Sequence, residues 1–273
     1  MLRKKLKTVY IVGYKSFIQK NLHNYLNKKF IIRKIKYQKL KDSKLIENSI
    51  LINCSHHKDF YEKKYSFRKD RNLVIAKMIV NKNIKMIMLS TRQVYKPKIC
   101  LKETDTKQPI NIYGRNSLIS EAKCNKVLNN KLLILRLSNI IGIEKNYKKK
   151  SSLMSKIISG LGSKKIVFDE SFYLKKDLLP IRFFCQIMKK ILIKNLSGVV
   201  NVGSGIPFKV KFLVEEIIKY KKVNLVVVKK KIKDNNFSLN TQKLTKLINY
   251  KIPKKKLFNE INILCQKVKK IKL

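Results

Sequence analysis

The feature that most constrains the fold is a short apolar run that ends in adjacent hydroxyl residues, followed along the chain by a helix that carries a tyrosine. The run Met86–Leu89 leads directly into Ser90 and Thr91, and Tyr113 opens a segment with helical spacing. The apolar positions of this segment are Ile112, Leu118, Ile119 and Ala122. A hydroxyl and a phenol presented in this way can converge on one substrate oxygen and share its proton, which suits hydride chemistry.

The other apolar runs alternate with helical segments in the same manner. A β-branched run precedes Gly13 and a helix, and further strands are predicted at 30–35, 50–54 and 132–137. This alternation predicts an α/β fold, a Rossmann-like doubly wound parallel sheet. We expect a dinucleotide-binding domain over residues 1–142. Residues 143–273 are expected to form mainly a smaller C-terminal substrate-binding lobe, with some segments returning to the sheet.

The hydroxyl and tyrosine segments resemble paired motifs of a known family. Residues 90–95 read STRQVY and residues 113–121 read YGRNSLISE. They are similar to S-[ST]-x-x-V-Y-G and Y-G-x-[SN]-K-L-x-x-E of the NAD-dependent epimerase/dehydratase family, the extended short-chain dehydrogenases/reductases that modify nucleotide sugars. The resemblance implies that Thr91 hydrogen-bonds a sugar oxygen and that Tyr113 donates or accepts its proton.

The family's lysine, four residues after the tyrosine, is replaced here by Ser117. Residues at this spacing share a helix face, so a lysine there places a positive charge beside the phenol and lowers its pKa from about 10. In the family it also holds the nicotinamide ribose. A serine does neither by charge, so Ser117 is the catalytic position at which this chain departs from the family.

The first predicted strand is followed by a partial match to the family's phosphate-binding turn. The family has G-x-x-G-F-I-G where this chain has Gly13-Tyr14-Lys15-Ser16-Phe17-Ile18-Gln19. The pyrophosphate of a dinucleotide sits on the helix N-terminus in such a turn. The resemblance therefore assigns cofactor contacts to Gly13, Ser16, Phe17 and Ile18, and the cofactor is expected to be NAD or NADP.

Further cofactor contacts are expected at the next two strands. An NAD-binding chain usually places an acid for the ribose hydroxyls after the second strand, whereas this chain has Arg33 and other basic residues, which suits the extra phosphate of NADP. Cys54 and Ser55 match the small residues of the family's V-I-N-x-A-[AG] turn and allow close backbone approach. The following pair, His56 and His57, is interpreted as exposed loop.

The fifth predicted strand ends in a complete match to the family pattern L-R-x-S-N-x-x-G, which places Asn139 in register. In related enzymes this asparagine contacts the diphosphate of the substrate, so we expect Asn139 to bind substrate together with Thr91. Glu103, Glu121 and Arg136 also stand in register. The resemblance extends over essentially the whole chain.

The formal net charge is +49, from 65 Lys and Arg against 16 Asp and Glu. One interpretation is an RNA-binding protein on the same fold. The lysines, however, are spread along the whole chain instead of forming one stripe with interleaved aromatic residues. Lys, Asn and Ile are abundant while Ala is rare, which indicates codon bias. We favour codon bias and expect no specific nucleic-acid partner.

No apolar run approaches the length of about 20 residues that a membrane helix needs, and the run at 9–12 is too short for a signal peptide. We therefore expect a cytoplasmic protein without a membrane partner. The widely spaced cysteines read as reduced thiols, and the few histidines predict no metal site. The family resemblance makes a homodimer possible.

The sequence thus predicts an NAD(P)-dependent nucleotide-sugar epimerase, dehydratase or reductase that acts in surface-polysaccharide sugar synthesis. The alternative is a catalytically impaired homologue that binds a nucleotide sugar or a cofactor without turnover. Ser117 and the eroded glycine turn support that alternative, and the residues that remain in register support the enzyme.

Overall fold

The computed structural model describes residues 6–144, 153–162, 165–168, 173–219, 224–227 and 235–269. The strands are β1 (Thr8–Val12), β2 (Ile31–Ile35), β3 (Ser49–Asn53), β4 (Ile84–Thr91), β5 (Leu132–Leu137), β6 (Asn139–Ile141), β7 (Lys165–Phe168), β8 (Lys175–Pro180), β9 (Gly198–Val202), β10 (Pro207–Lys209) and β11 (Asn224–Val227). The helices are α1 (Phe17–Leu26), α2 (Asp59–Glu62), α3 (Arg71–Ile79), α4 (Ile112–Leu128), α5 (Leu153–Gly162), α6 (Ile181–Ile193), α7 (Val210–Ile218), α8 (Gln242–Ile248) and α9 (Lys254–Lys269).

Within these residues the central sheet has six strands in the order β2-β1-β3-β4-β5-β9, and every neighbouring pair is parallel. The predicted doubly wound parallel sheet is therefore confirmed. After β2 the chain crosses to the other side of β1 to form β3, so the strand order reverses between β1 and β3. In open α/β sheets, ligands bind outside the carboxyl ends of the strands at such a switch point.

Both faces of the sheet are covered, because successive side chains of a strand point to opposite faces. In β1, Val9 and Ile11 join the apolar cluster beneath α1 and α6, whereas Tyr10 and Val12 join the cluster beneath α3 and α4. This explains why the strands read as continuous apolar runs instead of alternating ones. The burial of both faces holds the carboxyl ends of the strands at one rigid edge.

The C-terminal half contributes smaller sheets and also returns to the main one. In the described part of the chain, β10, β8 and β6 form one small sheet, β11 pairs with β7 in another, and β9 completes the central sheet beside β5. The last helix, α9, buries Ile261, Leu264 and Val268 against the body of the protein.

A buried carboxylate joins these C-terminal segments. Asp177 in β8 has no exposed surface and accepts hydrogen bonds from the backbone N–H groups of Ser204 (2.8 Å), Gly205 (3.1 Å) and Leu239 (3.1 Å), and from the Ser204 hydroxyl (2.7 Å). Burial raises the pKa of Asp177, while these donors lower it. The contacts fix the loop after β9 and the closing segment around Leu239 to β8.

Helix α4 forms where helical spacing was predicted, but its apolar positions do not coincide with its buried face. Ile119 is 38% exposed and Ala122 is exposed, whereas the buried face carries mostly small and polar residues: Gly114, Asn116, Ser117, Ser120, Glu121, Cys124 and Leu128. Two of the four apolar positions of this helix, Ile119 and Ala122, therefore face solvent. The physical reason is that this helix packs against polar groups at the end of the sheet, where Asn116 Nδ2 donates to the carbonyls of Phe60 (3.0 Å) and Lys63 (2.8 Å).

No helix within the described ranges combines the length and the apolar character that crossing a membrane requires.

Candidate active site

The structure brings Thr91, Tyr113 and Ser117 together at the carboxyl edge of the sheet. Thr91 is the last residue of β4, and Tyr113 lies in the first turn of α4, which begins after the Asn111 cap. The Ser117 hydroxyl donates to the Tyr113 carbonyl (2.8 Å). The hydroxyls of Ser117 and Thr91 also lower the pKa of the Tyr113 phenol, so both lie beside it. The sequence-predicted catalytic residues thus form one cluster.

The surroundings of the Tyr113 phenol nevertheless favour its protonated form. Burial raises the pKa of Tyr113 well above its usual range, and the neighbouring Tyr61 and Glu121 raise it further. Among the described residues, no lysine or arginine contributes to the shift. The phenol is therefore neutral at neutral pH, and no cation from elsewhere in the described chain replaces the family's lysine.

Two aromatic rings pack against the Tyr113 ring, and a third ring contacts both of them. The ring centroid of Tyr61 lies 4.8 Å from that of Tyr113, and the ring of Phe60 meets Tyr113 edge-on at 6.2 Å. His56 contacts both Phe60 (5.3 Å) and Tyr61 (5.8 Å). These rings belong to the segment that follows β3, so this segment forms one side of the candidate site.

His56 corrects the prediction of an exposed loop at the histidine pair. It is partly buried, and its ring hydrogen-bonds the backbone of Leu89 in β4. Burial, followed by the nearby Arg71 charge, lowers the pKa of His56 to about 4, so the ring is neutral at pH 7. Its position directly after β3 is the sequence signal that places it at this edge.

Gly114 allows α4 to approach the end of β4. A Cβ at Gly114 would lie 2.2 Å from the carbonyl oxygen of Gln93 and 2.9 Å from Cβ of Pro109. Gln93 follows Thr91 by two residues, and its side chain accepts a hydrogen bond from Asn111 Nδ2 (2.6 Å). This close backbone approach sets the position of Tyr113 relative to Thr91.

We expect Gly114→Ala to destabilise the protein by about 1–3 kcal/mol, because the added methyl must push α4 away from Gln93. The same displacement separates the phenol from Thr91, so any activity should fall more than stability alone explains. Urea denaturation followed by circular dichroism measures the first effect. The control is Arg115→Ala, an exposed neighbour on the same helix, and equal stability of the two variants would contradict the argument.

A buried polar network underlies the site and accounts for several residues that match the family pattern. Arg136 Nη2 donates to Glu121 Oε2 (2.6 Å), its Nε contacts both carboxylate oxygens, and Ser90 Oγ donates to Glu121 Oε1 (2.5 Å). Both members of the ion pair are almost fully buried. Glu121 lies on α4, Arg136 on β5 and Ser90 on β4, so the network joins the elements that carry Tyr113 and Thr91.

The network continues across the sheet to β9. Arg136 Nη1 donates to the Tyr95 hydroxyl (2.7 Å), which donates to Asn201 Oδ1 (2.9 Å). The backbone N–H of Asn201 donates to Glu103 Oε1 (2.8 Å). These matching residues therefore have partners within the protein, and their role in the structure is to position the cluster.

The predicted cofactor turn lies at the carboxyl end of β1. Gly13 has φ +138°, and a Cβ there would meet the Cys54 carbonyl oxygen at 3.1 Å. Ser16 caps α1 by accepting a hydrogen bond from the Gln19 N–H (3.1 Å). Phe17 packs its ring against Gly142, and Ile18 is partly buried against the core. Of this group, the Gly13 turn and Ser16 present their backbone toward the switch point.

Cys54 and Ser55 follow β3 across the switch point from this turn. Cys54 is partly buried, and burial raises the pKa of its thiol. Ser55 is held by an N–H bond to Asn53 Oδ1 (2.9 Å), and its hydroxyl accepts from Arg71 Nη1 (2.5 Å). Arg71, the first residue of α3, lies in the crevice and was not predicted, because one cation among so many has no distinguishing pattern in the sequence.

Arg33 and Asn139 lie apart from these clusters. Arg33 is exposed within β2, before the carboxyl end of the strand, and its side chain makes no hydrogen bond or ion pair with another described residue. Asn139 is partly exposed at the start of β6, and its amide has no hydrogen-bond partner within the described ranges. Since β5 ends at Leu137, Asn139 shares the carboxyl edge with Thr91 and its amide is available to a ligand.

No group of three or more His, Cys, Asp or Glu side chains that could hold a metal ion occurs in the described ranges. The functional groups gathered at the carboxyl edge are hydroxyls, a phenol, an amide, a neutral imidazole and a guanidinium. Such groups can bind polar and phosphorylated ligands and can transfer a proton to or from an oxygen.

Neither a protein-family model nor a curated protein matches this sequence. Solved structures do match. A UDP-N-acetylglucosamine 4-epimerase from Methanobrevibacter ruminantium M1, in complex with UDP-N-acetylmuramic acid, is 17% identical with a TM-score of 0.81, and the match covers 96% of this chain and 98% of that one. A dTDP-glucose 4,6-dehydratase from Bacillus anthracis, in complex with NAD, is 17% identical with a TM-score of 0.75 and 97% coverage of both chains.

A further structure, RMD from Pseudomonas aeruginosa complexed with NADPH, is 15% identical with a TM-score of 0.77 and covers 97% of this chain and 100% of that one. These likenesses run along nearly the whole chain in each case. They show that this chain has the fold of the nucleotide-sugar epimerase and dehydratase structures.

Proposed function

We propose that this chain is a member of the NAD-dependent epimerase/dehydratase family that uses NAD or NADP to act on a nucleotide sugar. The observation that carries the proposal is the cluster of Thr91, Tyr113 and Ser117 at the carboxyl edge of β4, next to the switch point. The sequence motifs in register and the binding of NAD, NADPH and UDP-linked sugars by proteins of this fold support it.

The residues that would hold the cofactor fit a dinucleotide. The Gly13 turn lets the backbone pass close to Cys54, and the Ser16-capped N-terminus of α1 lies beside it. This is the arrangement that receives a pyrophosphate in doubly wound folds. A nicotinamide bound there would supply or accept the hydride.

The chain's own residues would handle the substrate oxygen and its proton. The Thr91 hydroxyl would hydrogen-bond the oxygen of the reacting sugar carbon, and the Tyr113 phenol would give a proton to that oxygen or take one from it. The amide of Asn139, which has no partner among the described residues, would bind the diphosphate of the nucleotide sugar. Thr91 ends β4, Asn139 follows the carboxyl end of β5, and Tyr113 lies in the first turn of α4.

The absence of a cation near the phenol favours one direction of the reaction. Below its pKa the phenol is neutral and can donate a proton to the alkoxide that forms when a keto group is reduced. Removing a proton from a sugar hydroxyl requires the phenolate, which is rare at pH 7 when the pKa is above the ordinary value of about 10. Among epimerisation, dehydration and keto reduction, we therefore favour keto reduction.

The second candidate is a homologue that binds cofactor or nucleotide sugar without turnover. The specific observation in its favour is again the phenol, whose pKa no described lysine or arginine lowers. A role in surface-polysaccharide synthesis, a cytoplasmic location and a homodimer stay predictions. RNA binding has only the net charge in its support.

A titration with dinucleotides tests the proposal. The chain has no tryptophan, so the nicotinamide fluorescence of NADPH or NADH can be followed without interference from indole emission. We expect saturable binding of at least one of them at moderate salt, where nonspecific attraction to a chain of this charge is weakened. Heparin serves as the polyanion control. If neither nucleotide binds, or heparin abolishes the binding at equal salt, the dehydrogenase proposal fails.

A further inference from the structure

Cations and aromatic rings surround the carboxyl ends of β1 and β2. Lys36 follows β2 directly, and its Nζ lies 4.5 Å from the ring centroid of Tyr14. Lys15 approaches the same ring at 4.9 Å. Tyr14 is 59% exposed, so its ring and these ammonium groups lie at the surface, just beyond the carboxyl ends of β1 and β2. An NAD-binding chain places an acid at this strand end.

Arg71, the first residue of α3, contacts the segments that follow β2 and β3. Its guanidinium lies 4.4 Å from the ring centroid of Tyr37, which follows β2, while its Nη1 donates to the hydroxyl of Ser55, which follows β3. Since β2 and β3 flank β1 in the sheet, the guanidinium spans the carboxyl end of β1. The stacking and the hydrogen bond hold it there.

The Arg71 guanidinium is partly buried without a carboxylate. Within the described ranges it forms no ion pair, and its hydrogen bond to Ser55 uses one of the five N–H donors of an arginine. Burial lowers the pKa of Arg71. An adjacent anion would raise this pKa again, because it stabilises the charged guanidinium. Charges withdrawn from water are normally paired. The remaining donors therefore fit a phosphate, which guanidinium groups bind in a bidentate manner.

We propose that Arg71, assisted by Lys36, binds the 2′-phosphate of NADP and makes this chain selective for NADP over NAD. The inference rests on the proposed function, because it requires a dinucleotide in the crevice. The ribose hydroxyls of a dinucleotide lie at the end of β2, where Tyr37 and Lys36 stand. This assignment moves the phosphate site from Arg33, which is exposed within the strand, to residues beyond its end.

The test compares adenosine 2′,5′-bisphosphate with adenosine 3′,5′-bisphosphate by isothermal titration calorimetry, and NADPH with NADH by fluorescence. The bisphosphates are isomers of equal charge, so nonspecific attraction to this basic protein cancels. We expect the 2′,5′ isomer to bind about tenfold to a hundredfold more tightly, and NADPH to exceed NADH by a similar factor.

Variants identify the residues. Arg71→Met should lower the affinity for NADPH and the 2′,5′ isomer by roughly tenfold to a hundredfold, with less than about a threefold change for NADH. Lys36→Met should lower the same two affinities to a smaller extent. This variant still tests the proposal if Arg71→Met does not fold. Arg68→Met is the matched control, since Arg68 is exposed and precedes α3.

The possible failures are distinguishable. Equal binding of the isomers and of the two dinucleotides would overturn this inference and leave the proposed function standing. An equal loss of NADH and NADPH affinity in Arg71→Met would assign Arg71 to the pyrophosphate and would also overturn it. Absence of any saturable nucleotide binding would overturn the proposed function as well.

Discussion

Ser117→Lys is expected to lower the pKa of the Tyr113 phenol by about one to three units and to raise the rate of sugar oxidation at pH 7 by roughly tenfold to a thousandfold. In the wild-type protein burial raises this pKa, so the oxidation rate should increase with pH throughout the neutral range. The lysine should shift that rise to lower pH, because a nearby cation stabilises the phenolate. Keto reduction, which uses the neutral phenol, should gain little.

The ionisation can be measured without a substrate. Tyrosinate absorbance in the near ultraviolet, recorded as the difference between Ser117→Lys and Ser117→Lys/Tyr113→Phe, should show one phenol titrating at lower pH than in the matching difference between the wild-type protein and Tyr113→Phe. Ser117→Met is the matched control, because it adds an unbranched side chain of similar length without charge. If Ser117→Met and Ser117→Lys show the same dependence of the oxidation rate on pH, the absence of a positive charge at position 117 does not limit activity. The site is then impaired for another reason.

Glu121→Gln is expected to reduce the free energy of unfolding by about 3–5 kcal/mol, because it leaves the buried Arg136 guanidinium without a counter-ion. The same substitution weakens the hydrogen bonds that link α4 to β4 and β5, so the distance between Tyr113 and Thr91 should also become less constrained. Urea denaturation monitored by circular dichroism measures the loss of stability.

The control for this prediction is Glu62→Gln, an exposed glutamate whose substitution should change the free energy of unfolding by no more than about 0.5 kcal/mol. The double variant Glu121→Gln/Arg136→Met removes both charges and should recover much of the loss, since an apolar pair of similar volume often replaces a buried ion pair without cost. A loss below about 1 kcal/mol in Glu121→Gln would show that water or another group compensates Arg136.

The sequence by itself determined the layout of the fold and the proximity of its main chemical groups. Apolar runs bounded by turns fix which residues form buried strands, and the carboxyl ends of parallel strands meet at one edge. Thr91 at the end of β4 and Tyr113 in the first turn of α4 therefore had to face the same crevice. These are local patterns, and they require no knowledge of distant contacts.

Only the tertiary structure decided which face of α4 is buried and which of the many cations occupies the crevice. Ile119 is exposed and Glu121 is buried because Arg136 on β5 can pair with the carboxylate, a contact that no periodicity within α4 contains. Arg71 differs from the other basic residues only in where α3 begins relative to Tyr37 and Ser55. Partners distant in the sequence set burial and charge pairing, and so their effect becomes visible only after the chain has folded.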